Sequence, residues 1–259
     1  MDRYLTIPDN FSSDDYYRFK KLNSIIQDII SKKGKKEVVF VDFGCGDGQF
    51  MQYIQKNSPA DVHFKFIGID KFVSRKVFDF ELRNCDVEER IDLPDNFADI
   101  IVGAEIIEHI RNTDLFISEL ARINKSDGDI LITTPNLSSY FNRFLLLFGY
   151  QPYHSEVSDK ESGFGQGLIY RVLGREKYGN KTAGHLRLFT FRAFKDFIEY
   201  NKLKLVSYYP VFFSSFRPDN KRVTAIKLFF AVDKYISLIF PSLASGMIFH
   251  LKNDKIILK

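Results

Sequence analysis

Apolar residues follow two alternating patterns along the first half of the chain. Short, almost continuously apolar runs such as 37–43 alternate with stretches such as 48–57, where apolar residues recur at helical spacing. Buried strands that alternate with helices are typical of a parallel sheet covered on both faces. The same pattern predicts further strands at 63–70, 79–86, 97–105 and 128–135, and further helices at 12–34, 72–78 and 112–126.

After Pro135 this alternation stops. A polar stretch punctuated by glycines, 151–185, and an apolar stretch, 223–243, interrupt the elements that follow. Long irregular segments in compact domains are commonly binding loops, so we expect a substrate lid that is mobile at 163–180 until a ligand binds. The pattern also predicts helices at 136–150 and 190–202 and strands at 203–213 and 246–252.

Composition narrows the class of protein. The chain has 259 residues, of which 45% are hydrophobic and 27% charged, which suits one globular domain over 1–259. The net charge of +4 is small for a nucleic-acid-binding protein. Two cysteines without a pairing pattern, no stretch resembling a signal peptide and no apolar run long enough to span a bilayer predict a cytoplasmic protein.

A glycine-rich turn follows the first strand. Glycines at 44, 46 and 48 allow a tight turn and let a ligand approach the backbone. A dinucleotide fingerprint needs its third glycine one residue later, where this chain has Gln49. Asp42 and Asp47 would repel a pyrophosphate but suit a cation. The turn therefore favours S-adenosylmethionine, which carries a sulfonium and an ammonium group but no phosphate.

Two further carboxylates follow the next two strands. Asp70 can accept hydrogen bonds from both hydroxyls of a ribose, and Asp86 lies in reach of an adenine amino group. Open α/β sheets bind ligands at the edge formed by the carboxyl ends of their strands, where these residues should meet. The predicted cofactor site comprises Asp42, Gly44, Cys45, Gly46, Gly48, Asp70, Lys71, Asp86, Val87 and Glu105.

This order of motifs resembles the class I S-adenosylmethionine-dependent methyltransferases, over residues 35–135 in particular. The segments 97–110 and 128–136 are similar to the ubiquinone-type O-methyltransferases and their uncharacterised relatives. The resemblance implies a Rossmann-like, doubly wound α/β fold with a seven-stranded sheet, mostly parallel, whose last strand is antiparallel. It also implies a cofactor-binding half at 1–135, with substrate-side insertions at 136–183 and 211–245.

The segment 104–110 carries candidate metal ligands. Glu105, Glu108 and His109 would share one face if the segment were a helix, and His185 follows later in the chain. Two carboxylates and two imidazoles form a plausible set for a divalent metal such as Mg²⁺. The combination resembles the small-RNA 2′-O-methyltransferases, in which such a helix and a later histidine hold a metal. Purely structural roles for these four residues are the competing interpretation.

Without a metal, a hydroxyl acceptor needs a general base. An alcohol is a poor nucleophile until it loses its proton, and histidine titrates near neutrality. The candidates are His185, His109 and His154.

The sequence thus predicts a methyltransferase that acts on a hydroxyl of a small molecule, a sugar or a lipid-like acceptor. The alternatives are a metal-dependent RNA ribose 2′-O-methyltransferase, which the small net charge disfavours, and a non-catalytic cofactor-binding subunit. The apolar stretch at 222–240 is a candidate for peripheral contact with a membrane, against the competing interpretation that it packs over the sheet. The sequence leaves the acceptor and the oligomeric state open.

Overall fold

A computed structural model describes residues 13–73, 78–167, 181–212, 232 and 235–253, with side chains from residue 17 onward. The chain forms a seven-stranded sheet in the order β3-β2-β1-β4-β5-β7-β6. The strands are β1 (Glu37–Phe43), β2 (His63–Asp70), β3 (Glu81–Asn84), β4 (Ala98–Ala104), β5 (Asn124–Pro135), β6 (Leu203–Val211) and β7 (Gly246–Asn253).

Strands β1 to β5 run parallel, whereas β7 pairs antiparallel with both β5 and β6. The predicted seven-stranded α/β sheet with an antiparallel last strand is therefore confirmed. The parallel strands all end at one edge, because strand, helix and next strand are joined by crossover connections. That edge carries the acidic residues that the sequence placed at strand ends.

The helices are α1 (Ser13–Lys33), α2 (Gln49–Asn57), α3 (Thr113–Ile123), α4 (Tyr140–Leu147) and α5 (Phe191–Tyr200), with 3₁₀ turns at Ile107–His109 and Pro241–Leu243. Two apolar clusters fill the two sides of the sheet. Phe116 and Phe194 pack on one side, and Leu22 and Met51 pack on the other, all fully buried. Each such side chain stabilises the fold by roughly 1.5–3 kcal/mol.

Several local predictions differ from the structure: for example, the helix predicted at 136–150 spans only Tyr140–Leu147, and the strand predicted at 79–86 spans only Glu81–Asn84. The segment 104–110 is not a helix: β4 ends at Ala104, Glu105 has a φ of 51°, and only Ile107–His109 forms a 3₁₀ turn. Strand β5 starts at Asn124 rather than 128, which shortens the predicted helix 112–126.

Some predictions concern residues that lie outside the described parts of the chain. Residues 74–77 of the predicted helix 72–78, residues 168–180 of the predicted mobile lid, and most of 222–240 lie outside the described residues. Among the described parts of the chain, no helix combines the length and the apolar character that crossing a membrane requires.

Candidate active site

A cleft of about 390 Å³ opens at the carboxyl edge of the parallel strands. Six of the ten predicted cofactor residues line it: Gly44, Asp70, Lys71, Asp86, Val87 and Glu105. The other four, Asp42, Cys45, Gly46 and Gly48, lie in or directly before the adjoining glycine turn. The strand ends therefore bring the predicted cofactor set together.

The glycine turn shapes the floor of the cleft. Gly46 has a φ of +54°, and a side chain there would meet no heavy atom within 4 Å, so its face is open toward a ligand. At Gly44 an added Cβ would approach Ile106 Cδ1 to 2.9 Å, so a side chain there would collide. The turn favours glycine for two different reasons, the left-handed backbone at Gly46 and the tight packing against Ile106 at Gly44.

Asp42 is buried beneath this turn, with only 3% of its surface exposed. Burial, and then the nearby Asp70 carboxylate, raise the pKa of Asp42 from 3.8 to about 8. A cationic group bound in the cleft would favour the ionised carboxylate. Without such a group Asp42 keeps its proton up to about pH 8, so the free protein holds a neutral carboxyl group here rather than the anion that the sequence predicted.

The carboxylate of Asp70 joins β2 to the glycine turn. It accepts hydrogen bonds from the backbone N–H of Gly46 at 2.9 Å and of Phe72 at 2.8 Å. Each carboxylate oxygen has two lone pairs, so capacity remains for ribose hydroxyls.

The other predicted cofactor residues are held by local contacts. Asp86 forms an ion pair with Lys71 at 2.6 Å and accepts a hydrogen bond from the N–H of Glu88. The Asp86 pKa is lowered mainly by the hydrogen bond from Lys71. Burial raises the pKa of the Cys45 thiol, so this cysteine packs as an apolar residue rather than as a nucleophile.

Glu105 lies at the end of β4, where it lines the cleft. Its carboxylate accepts a hydrogen bond from Thr133 Oγ1 at 2.8 Å and pairs with the Arg18 guanidinium at 3.2 Å. Arg18 comes from α1, far from the other site residues in sequence, and no sequence signal marked it. Because β4 ends before Glu105, this side chain does not share a helical face with Glu108 or His109.

Glu108 is fully buried in the 3₁₀ turn. Its Oε2 accepts a hydrogen bond from Thr134 Oγ1 at 3.1 Å, whereas its Oε1 has no hydrogen-bond partner among the described residues. Burial, and then the Glu105 carboxylate, raise the pKa of Glu108 well above its ordinary value. A buried oxygen without a partner is costly, so this one marks a place where a ligand atom would be stabilising.

His109 and His185 are oriented by backbone carbonyls. The Nδ1 of His109 lies 3.0 Å from the Gly184 oxygen, and the Nδ1 of His185 lies 2.8 Å from the His154 oxygen. A carbonyl only accepts, so each Nδ1 carries the proton, and in the neutral ring Nε2 carries a lone pair. Burial lowers the pKa of His109, which favours that neutral form.

Glu108, His109 and His185 form a cluster, in which one ligand atom of each lies within 4.8 Å of the others. Three of the four predicted metal ligands therefore converge, and Glu105 is not part of this cluster among the described residues. His154 lies next to this cluster, and its ring centroid is 5.6 Å from that of His185. Burial, then His185, lower the pKa of His154 to about 3, which makes its ring a weak base.

Glu156 holds the segment that carries His185. Its carboxylate accepts backbone hydrogen bonds from Ala183, Gly184 and His185, at 2.6, 2.7 and 2.9 Å. The following residues, Leu186 and Arg187, donate backbone hydrogen bonds to the Glu108 carbonyl. Sequence reasoning missed Glu156, because nothing in its local pattern indicates a partner some 30 residues later. Thr133 and Thr134 were also missed, although their place at a strand end could have suggested them.

A family model described as "Methyltransferase domain" matches residues 15–208, about three quarters of the chain. Curated relatives include a probable S-adenosylmethionine-dependent methyltransferase of Mycolicibacterium smegmatis and a ubiquinone biosynthesis O-methyltransferase of Pelagibacter ubique. The first is 27% identical over 48% of this chain and the second 27% identical over 42%. The matches span about half the length of these relatives, 48% of each.

Solved structures show the same fold at low identity. The plantazolicin methyltransferase in complex with a desmethyl analogue and S-adenosylhomocysteine has a TM-score of 0.55 and 13% identity, with 93% of this chain and 86% of that one covered. The Burkholderia thailandensis 1,6-didemethyltoxoflavin-N1-methyltransferase has a TM-score of 0.52 and 12% identity, with coverages of 91% and 78%. These matches confirm the resemblance to class I methyltransferases: the chain belongs to the methyltransferase domain family, whose relatives support S-adenosylmethionine as its cofactor.

Proposed function

We propose that the chain is an S-adenosylmethionine-dependent O-methyltransferase that binds its cofactor in the cleft at the strand ends and methylates an acceptor hydroxyl next to His185. The observation that carries this proposal is the cluster of Glu108, His109 and His185, which adjoins the cofactor cleft through His109. The ubiquinone biosynthesis O-methyltransferases among the relatives are consistent with a hydroxyl acceptor.

The reaction would be an in-line displacement. The acceptor oxygen forms a bond to the methyl carbon while the carbon–sulfur bond breaks, and its electron pair returns to sulfur to give neutral S-adenosylhomocysteine. The hydroxyl proton leaves to a nearby base and then to solvent. Because the sulfonium is already a good leaving group, the main task of the protein is to align oxygen, carbon and sulfur.

The cluster has the chemistry of a divalent metal site. Two neutral imidazoles with Nδ1 tied to carbonyls are the usual form of histidine ligands, and Glu108 Oε1 lacks a protein partner among the described residues. We therefore propose Glu108, His109 and His185 as ligands. Two imidazoles with one carboxylate suit a first-row ion such as Zn²⁺ better than Mg²⁺, which prefers oxygen. A bound ion would supply Lewis acidity that lowers the pKa of the acceptor hydroxyl.

The chain's own groups prepare this site. Glu105 is engaged by Arg18 and Thr133, which leaves Glu108 as the acidic member of the cluster. Gly184 and His154 hold the two rings through their carbonyls. Should no metal bind, the lone pair of His185 Nε2 is better suited than His154 to accept the hydroxyl proton.

Methyl transfer from methyl-labelled S-adenosylmethionine to a panel of hydroxyl acceptors, with chelator added or omitted, tests the proposal. Glu108→Gln and His185→Ala should lower turnover at least about 100-fold and abolish Zn²⁺ binding in calorimetry, with S-adenosylhomocysteine binding retained. His63→Ala, at an exposed histidine on β2, is the matched control and should change nothing.

The outcomes separate the two interpretations of the cluster. Turnover that resists chelators but not His185→Ala would replace the metal by a histidine base. Turnover restricted to amine, thiol or carbon acceptors would overturn O-methylation. Transfer to RNA ribose would support the alternative substrate, against which the net charge of +4 argues.

A further inference from the structure

A second cavity is lined by His185. Its volume is about 150 Å³, and none of its described lining residues also lines the cofactor cleft. His185 lines the cavity and His109 lines the cleft, and their ring centroids are 4.8 Å apart. The histidine pair therefore stands between two spaces, of which the larger suits the cofactor.

The lining of this cavity is polar. Its described walls carry hydroxyl, amide, ammonium and carboxylate groups from Ser155, Ser162, Gln166, Lys181 and Glu156, beside the rings of Tyr153, His154 and His185 and the methyl group of Ala183. Groups of this kind both donate and accept hydrogen bonds, which matches a molecule with several hydroxyls. Ser155 and Gln166 already form hydrogen bonds within the protein, which holds their polar atoms in place, and an apolar chain placed here would displace water from this polar lining.

Its size is equally selective. Pockets for drug-sized ligands occupy about 300–1,000 Å³, so a cavity of about 150 Å³ holds one ring-sized unit. Phe144 in α4 and Phe148 directly after it do not line this cavity, and their side chains are 42% and 60% exposed. The described lining therefore offers little apolar surface to a long lipid-like acceptor.

We infer that this cavity is the acceptor site and that it takes a polyhydroxylated molecule of monosaccharide size, whose reacting hydroxyl meets the methyl group at the histidine pair. This inference rests on the proposed O-methyltransferase function and names its substrate class. Lys181, exposed at the rim, contributes a hydrogen bond from its ammonium group to the sugar.

Binding and transfer are measured separately to test it. Saturation-transfer NMR on the complex with S-adenosylhomocysteine would screen free monosaccharides, nucleotide-linked sugars, simple phenols and long-chain alcohols. Mass spectrometry would follow methyl transfer to the same panel. Because free and nucleotide-linked sugars are tested separately, the comparison shows which of the two forms the site binds.

The variants address the cavity directly. Ala183→Phe should fill it and abolish sugar binding, and Lys181→Ala should weaken sugar binding about tenfold, the effect of one charged hydrogen bond. Lys160→Ala, an exposed lysine nearby that does not line the cavity, is the matched control. Unchanged binding of S-adenosylhomocysteine in all three variants shows that they fold.

Binding of phenols or long-chain alcohols instead of sugars would overturn the inference, as would sugar binding that Ala183→Phe leaves unchanged. Sugars that bind with the expected dependence but receive no methyl group would refute the proposed reaction and leave the cavity as a sugar-binding site only.

Discussion

The glycine turn at 44–48 and the segment 183–185 each present backbone N–H groups to a carboxylate. In the first, Gly46 donates to Asp70, and the two residues are brought together by the parallel pairing of β1 with β2. In the second, three successive N–H groups donate to Glu156, which lies in a segment without regular secondary structure. Backbone N–H groups thus bind a carboxylate at both places, but strand pairing positions the first set and loop packing positions the second.

This difference separates the two tasks of the site. The cofactor side, which contains the glycine turn, is held by strands whose registers are fixed by a buried core, so we expect its geometry to persist without a ligand. The proposed acceptor side, which contains the segment 183–185, is held by a few hydrogen bonds between loop segments, so single contacts decide where His185 lies. We expect variants on the first side to change cofactor affinity and variants on the second to change catalysis alone.

The largest effect is expected for Gly46→Val. A β-branched residue at a φ of +54° is strained, and its side chain would occupy the open face that the cofactor approaches, so affinity for S-adenosylhomocysteine should fall at least about 100-fold. Gly149→Val is a matched control, because Gly149 has a φ of +75° and also meets nothing within 4 Å. Calorimetry should show normal affinity for that control, and equal losses in both variants would refute the explanation.

Glu156→Ala should have the next largest effect. Loss of three hydrogen bonds to one carboxylate should destabilise the segment 183–185 by about 2 kcal/mol, so its amide exchange should accelerate roughly 30-fold. The ¹⁵N spectra of the five histidines should show His185 and His109 losing their fixed tautomers, with cofactor affinity unchanged. Asp159→Asn, at an exposed position three residues away, is the control. Unaltered tautomers in Glu156→Ala would show that other contacts orient these rings.

Asp42 should give a pH dependence on the cofactor side. Its folded pKa of about 8 exceeds the ordinary 3.8, so the folded protein keeps a proton that the unfolded chain loses. The contribution of Asp42 to the free energy of unfolding therefore decreases from about pH 4 to pH 8 and is constant above. Bound ammonium favours the ionised form, so cofactor affinity should rise with pH up to about 8 and then level off.

Asp42→Asn separates these two effects. It should weaken binding of S-adenosylhomocysteine by about 1–3 kcal/mol. In the unsubstituted protein below pH 8, cofactor binding should release the Asp42 proton, which calorimetry in buffers of different ionisation enthalpy detects; the variant should show no such release. It should also stabilise the free protein near pH 8 in thermal denaturation. Proton release that persists in the variant would assign the titration to another group.

The smallest effect is expected for Lys71→Ala. Lys71 and Asp86 form an exposed ion pair at 2.6 Å, and such pairs contribute little because water screens them. Cofactor affinity should change by about threefold or less, with a weak dependence on salt. A larger loss in calorimetry would show that Lys71 contacts the cofactor itself.

Most of the cofactor side could be predicted from residues alone. The alternation of apolar runs indicated the parallel strands, and the residue at each strand end then followed as a candidate ligand, as for Asp70 and Asp86. The segment 104–110 shows the limit of this approach. Its spacing suggested a helix, whereas Glu105 continues from the strand end in a left-handed conformation and is engaged by Arg18 and Thr133.

The sequence by itself determined the sheet, the glycine turn and the cofactor chemistry, because these depend on local periodicity and on residues next to strand ends. Only the tertiary structure decided that Glu108, His109 and His185 converge without Glu105, which pairs with Arg18, and that Glu156 holds the segment of His185. Those contacts join segments far apart in the chain through single side-chain hydrogen bonds and ion pairs. No periodic pattern encodes such contacts, since each depends on how loops pack over the finished sheet.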